Sequence, residues 1–144
     1  MSHRDIPAEI RERVRKRAGH RCGYCLSPQE LVLSWLDIEL IIPKGAGGSD
    51  RESNLWLACR LCNNGKGVQT HALDPLTGRR VRLFNPRRQR WSVHFAWNDD
   101  GTRIMGKTPC GRATMLGLQL NNAIAVLVRH QWVAAGWHPP QERL

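Results

Sequence analysis

The sequence predicts a small α+β protein whose first half is pinned by a metal ion as much as by a hydrophobic core. Three observations lead there. Helical patterns at both ends of the chain enclose a series of short strand patterns. Two Cys-x-x-Cys knuckles, Cys22–Cys25 and Cys59–Cys62, lie within the first 62 residues. With 144 residues in all, each half is too short to bury a large core alone. The expected organisation is a zinc-stapled domain over residues 1–70. A C-terminal extension of β-hairpin and helices over 71–144 is expected to pack on it.

The elements follow in order. Pro7 to Ala18 reads as a helix: Pro7 suits a first turn, Ile10 and Val14 share a face, and Gly19 ends it. Its other face carries Arg11, Arg13, Arg15, Lys16 and Arg17, which reads equally as a solvated surface or as phosphate contact. Leu31 to Ile42 is apolar and partly β-branched, so a strand leading to Pro43 is expected. Residues 45–53 form a glycine-rich loop, Leu55 and Leu57 alternate as in a short strand, and Arg60 to Lys66 suits a brief helix. In the second half a turn is expected at Asp74-Pro75-Leu76-Thr77-Gly78. Strands are expected at Val81–Phe84, Trp91–Trp97 and Thr102–Gly106, the last two joined by a hairpin at Asn98-Asp99-Asp100-Gly101. A helix opens at Pro109 and runs to about Leu120. Another, capped by Asn121 or Asn122, ends before Gly136. Leu116, Leu120, Ile124, Leu127 and Trp132 read as the buried stripe of these helices.

Charge narrows the class of partner. Lys and Arg outnumber Asp and Glu by 22 to 12, a formal net charge of +10. Such an excess repels itself and commonly meets an anionic partner, most simply a phosphate backbone. A membrane is not expected as a partner, because no apolar stretch approaches the ~18 residues that span a bilayer. Met1 to Asp5 lacks the apolar core of a secretory signal, so a reducing, cytoplasmic setting is expected. There, cysteines serve as metal ligands more readily than as disulfides. The candidate phosphate contacts are Arg13, Arg17, Arg21, Lys44, Arg60 and Lys66, with Arg87, Arg88 and Arg90 as an extension.

Each knuckle can grip one side of a tetrahedral ion, and the pair leaves no coordination position open. Cys22, Cys25, Cys59 and Cys62 are therefore expected to hold a structural zinc. Two redox-active pairs are the competing reading, but the βαβ surroundings of such sites are missing. Cys110 stands alone and reads as a small residue near a helix start.

What lies between and after the knuckles carries a family resemblance. Glu39-Leu40-Ile41-Ile42-Pro43, Gly47-Gly48, Asn54-Leu55 and Cys59-x-x-Cys62-Asn63-x-x-Lys66 together resemble the HNH endonuclease signature over roughly Arg13 to Lys66. The tail is similar to one bacterial subgroup of that family through Leu83 to Arg87, Trp91, His94-Phe95, Trp97, Gly111 to Thr114 and Gly136 to Pro140. The resemblance implies a ββα-metal core in which a divalent ion, Mg2+ or Mn2+, sits between hairpin and helix to hydrolyse DNA phosphodiesters. It implies that Glu39 and Asn63 are ligands of that ion, and that Asn54 braces the loop holding the general base. That base is a histidine in the family and stands as Leu40 here. Leucine cannot accept a proton from water, so an inactive or much weakened nuclease is expected. A zinc-stapled DNA-binding module without catalysis is the alternative. Leu40 fits a silencing substitution, which needs one base change, or a family member that binds without cutting. His20, His71 and His94 are the histidines that remain as substitutes, each more simply read as a hydrogen-bonding residue.

Overall fold

The computed structural model describes residues 6–141, so the reading of Met1 to Asp5 lies outside the described residues. The chain divides into two compact units, residues 1–70 with 85–88, and residues 71–84 with 89–144.

In the first unit, α1 (Ala8–Arg17) follows Pro7, whose apolar ring has no acceptor to cap the helix. The helix stops at Ala18, and Gly19 turns the chain with φ +67°, a conformation glycine adopts without strain. β1 (Asp37–Leu40) and β2 (Leu55–Ala58) pair antiparallel, with Leu40 opposite Leu55 and Asp37 opposite Ala58. α2 (Arg60–Lys66) follows directly and lies against β1, which gives the expected order of hairpin and helix. Ile6, Val14, Ala18, Leu36, Ile38, Leu55 and Leu57 form the core between α1 and the hairpin. The strand expected over 31–42 is only four residues long. Upstream of it, Gln29–Leu31 is a 3-10 turn, and the Gln29 side chain takes the backbone hydrogen bonds a ladder would have used.

In the second unit, β3 (His71–Leu73) and β4 (Arg80–Arg82) pair around the expected turn, whose carboxylate Asp74 is fully buried. β3 was not anticipated. Trp91–His94, read as strand, is instead a single helical turn, α3, followed by β5 (Phe95–Trp97) paired with β6 (Ile104–Gly106). α4 (Pro109–Gly117) begins at Thr108, whose hydroxyl accepts from the Gly111 amide at 3.0 Å. α5 (Ala123–Ala134) begins at Asn122, which accepts from Ala125 at 2.9 Å. A run of edge and tilted ring contacts joins Phe84, Phe95, Trp91 and Trp97 to His138 and Trp132.

The expected apolar stripe needs correction. Leu120 and Trp132 are buried, but Leu116, Ile124 and Leu127 are half or more exposed. α5 buries Arg129 instead. Its guanidinium donates to the Leu120 carbonyl at 2.7 Å, the Thr102 carbonyl at 3.1 Å and Asn121 Oδ1 at 3.2 Å, and lies over the Trp97 ring. A cation with its donors satisfied can occupy the inner face, and the aliphatic residues then fall on the outer one.

Candidate functional site

The four knuckle cysteines converge. The first knuckle is a tight turn in which the Leu26 amide donates to the Cys22 carbonyl and the Gly23 amide to Leu57 of β2. Only glycine fits at 23, since a Cβ would run into the Trp56 ring and Pro86. In the second knuckle Cys59 caps α2, its sulfur accepting from the Cys62 amide at 3.4 Å, and the Tyr24 amide points at the Cys22 sulfur in the same way. All four Sγ atoms lie within 4.8 Å of one another, with Cys25 and Cys59 at 3.7 Å. Zinc–sulfur bonds of about 2.3 Å place tetrahedral sulfurs about 3.8 Å apart, so the cluster fits a tetrahedral metal ion. Within it, burial pushes the Cys22 thiol well up. Hydrogen bonds from Cys22, Cys59 and Cys62 hold Cys25 well below the usual thiol range.

Beyond the paired strands, Asn54 ties the following loop together. Its Oδ1 accepts from the Ile42 amide, and its Nδ2 donates to the carbonyls of Ile42 and Ser49, all at 2.9 Å. The neighbouring Leu40 packs with Ile10, Val32 and Trp56 against the core cluster. Position 40 therefore presents hydrocarbon to the α1 side of the hairpin.

Glu39 faces the other way and is 3% exposed. Its carboxylate accepts a short hydrogen bond from the Tyr24 hydroxyl and pairs with the Lys66 ammonium at 3.4 Å. Lys66, also 3% exposed, donates to the Leu40 carbonyl at 3.0 Å. Burial raises the Glu39 carboxyl above its usual range, against the pull of Lys66 and Tyr24, and raises the Tyr24 phenol well above its own. Asn63, on the first turn of α2, donates its amide to Asp37 at 3.2 Å, and Arg60 approaches the same carboxylate at 3.7 Å. The two expected ion ligands thus have separate partners. Glu39 already holds a cation and Asn63 is turned to Asp37. The Glu39 carboxylate is engaged by Lys66 and Tyr24, and the Asn63 amide by Asp37.

The basic candidates divide. Arg17 is exposed. Arg13 is exposed but paired with Glu52 at 2.8 Å, while Lys44 approaches Asp50 at 3.6 Å. Arg21 is half-buried. Lys66 is a correction: an ammonium inside the fold, committed to Glu39 and Leu40, is not available to a phosphate. Arg87 lies over the Trp56 ring and donates to the Leu55 carbonyl at 3.2 Å, whereas Arg88 and Arg90 are exposed.

Of the histidines, His20 is exposed and His71 lies on β3 opposite Arg82. His94 ends α3, not a strand. Its Nδ1 is 2.7 Å from the Thr108 hydroxyl, and burial lowers its basicity. Two residues important here were missed from sequence, Tyr24 and Asp37. Tyr24 lies inside the first knuckle and Asp37 two residues before Glu39, so strand alternation on β1 was the available signal for Asp37. No helix among the described residues is long and apolar enough to cross a membrane. No curated protein and no solved structure matches the chain. Residues 22–69 match the family model described as HNH endonuclease.

Proposed function

From this HNH endonuclease match we propose that residues 1–70 are a nuclease-type scaffold whose partner is DNA and whose phosphodiester hydrolysis is abolished or much weakened. Structural zinc on Cys22, Cys25, Cys59 and Cys62 staples the scaffold. The observation that carries the reading is Leu40. In the resemblance read from the sequence it stands where the family has its general base, and it packs against the aliphatic core with neither lone pair nor transferable proton. Losing a general base costs a factor of about 10²–10⁴. The net charge of +10 supports a polyanionic partner. The divalent ion the family's chemistry employs, Mg2+ or Mn2+, would have to compete with Lys66 for Glu39, which supports the second reading, a DNA-binding module that does not cut.

A nicking assay on supercoiled plasmid separates the two. Under the first reading the parent chain stays at background with Mg2+ or Mn2+, and Leu40→His gains about 10²-fold or more. That gain vanishes with EDTA and with Asn63→Ala added. Near pH 8 the new imidazole, with an unperturbed pKa of about 6.5, is neutral and accepts a proton. A Leu40→His chain that folds and binds DNA yet cuts no faster than the parent leaves the binding module.

A further inference from the structure

We propose that Trp35 is a stacking platform for an unpaired nucleobase, so that the first unit prefers DNA with single-stranded character. This deepens the DNA reading and rests on it.

Residues 32–36 form a small arch before β1. Leu36 is 1% exposed and Val32, partly buried, packs on the core, so both feet are anchored. Between them the chain holds Leu33 entirely in solvent and Trp35 at 72% exposure. Exposing a tryptophan and a leucine side by side forfeits burial that either would gain in a core. The arch is nevertheless tied down. Gln29 reaches across it, donating from Nε2 to the Ser34 carbonyl at 3.0 Å and accepting from the Leu36 amide at 2.8 Å. Arg15 donates to the Leu36 carbonyl at 3.0 Å, and its guanidinium stands 5.3 Å from the centre of the Trp35 ring. The backbone on either side of residue 35 is thus fixed by side chains from two other elements, which holds the indole outward.

The surroundings select the occupant. α1 carries Arg11, Arg13, Arg15, Lys16 and Arg17 against Glu9 and Glu12. Arg15 belongs to that helix and to the arch, so the ring is exposed beside a cationic surface. An exposed aromatic plane beside an arginine on a basic helix matches the way proteins hold unpaired bases, with the ring against the base and cations along the phosphates. Bases within a duplex are stacked on one another and do not offer a face to the indole. Trp35 lies two residues before β1, which runs to Leu40. At 3.3–3.6 Å per residue the two are at most about 18 Å apart. A single strand stacked at 35 therefore passes close to Leu40, the position that the proposed function reads as the missing general base.

Fluorescence anisotropy tests this on the zinc-loaded full chain, with a labelled single strand and the same sequence closed as a hairpin duplex. The parent is expected to prefer the single strand. Trp35→Ala should weaken single-strand binding roughly 5- to 100-fold, the range for loss of one base–aromatic stack, and leave duplex affinity within about twofold. Trp35→Phe should fall between, since it keeps a ring. The salt slope should be unchanged in both variants, because no phosphate contact is removed. Equal binding of the two DNA forms with Trp35→Ala identical to the parent overturns the platform while leaving DNA as partner. Binding of neither form overturns the DNA reading itself. Concentration-dependent dimerisation abolished by Trp35→Ala, with single-strand binding unaltered, assigns the arch to a second copy of the chain and overturns the proposal.

Discussion

The two units achieve similar compactness by different means. The first surrounds a modest aliphatic core with four converging sulfurs and a buried ion pair, Glu39 and Lys66. The second relies on a chain of aromatic contacts and on cations that satisfy backbone and carboxylate oxygens from inside, Arg129 and Arg112. A unit closed by sulfur ligands would be conditional on the metal they bind. A unit closed by ring packing is not. The comparison can be broken by perturbations that should strike one unit and spare the other.

The largest effect is expected from the cluster. Apparent binding energies for structural zinc run to about 10–16 kcal/mol, so chelation or Cys59→Ser should leave the first unit unfolded. Hydrogen exchange should show protection lost over 8–66 and kept over 91–134, and native mass spectrometry should count the ion. Protection that survives chelation in α1 and β2 would refute the metal-conditional account.

Next comes the buried pair. Lys66→Met strands a carboxylate in the interior, which costs about 3–5 kcal/mol, whereas Glu39→Gln together with Lys66→Met removes both charges and should recover much of the loss. Denaturant unfolding of the two single variants and the double supplies the coupling. Simple additivity would mean the pair is not coupled.

In the second unit the corresponding test is Asp74. The Arg112 guanidinium, with Thr77 and the Leu76 amide, holds its carboxyl well below the usual carboxylate range. A depressed folded value means this stabilisation is present above the ordinary value of about 3.9 and lost as pH falls through the folded one. Near-UV circular dichroism, where Trp91, Trp97, Trp132 and Trp137 report, should persist at pH 4 and fade in stronger acid. Asp74→Asn should be destabilised at neutral pH and lack that acid transition.

The smallest effect is expected at Asn122, where Ala removes one helix cap and costs about 1 kcal/mol. Thermal melting of the second unit should shift by a few degrees, with no change in zinc content or in DNA binding.

Legibility from sequence also differed between the units. α2 and β2 were readable because the second knuckle and the Leu55–Leu57 alternation agree. The four cysteines were readable because their spacing has few other uses. The pairing of Glu39 with Lys66 was not, since both residue types are ordinarily at the surface, and only burial of the whole face reveals them as partners. In the second unit local apolar patterns misled. Trp91 to Trp97 alternates as a strand does, yet Val93 is exposed and Trp91 opens a helical turn. Ile124 and Leu127 have core chemistry, but Arg129 takes the inner face because three oxygen acceptors await it there. Tertiary partners decided those positions, and no window of sequence contains them.

The return of residues 85–88 to the first unit has a topological consequence. The backbone crosses between units at 70/71, again at 84/85 and a third time at 88/89, so three segments of chain, not one, connect them. A protease cut at 70/71 leaves residues 85–88, part of the first unit, on the fragment that carries the second. A truncation ending at residue 70 also strips the first unit of Arg87, leaving the Leu55 carbonyl without that donor and Trp56 without its cation. Domain dissection of this chain at its apparent boundary should accordingly yield a first fragment less stable than the same unit within the whole.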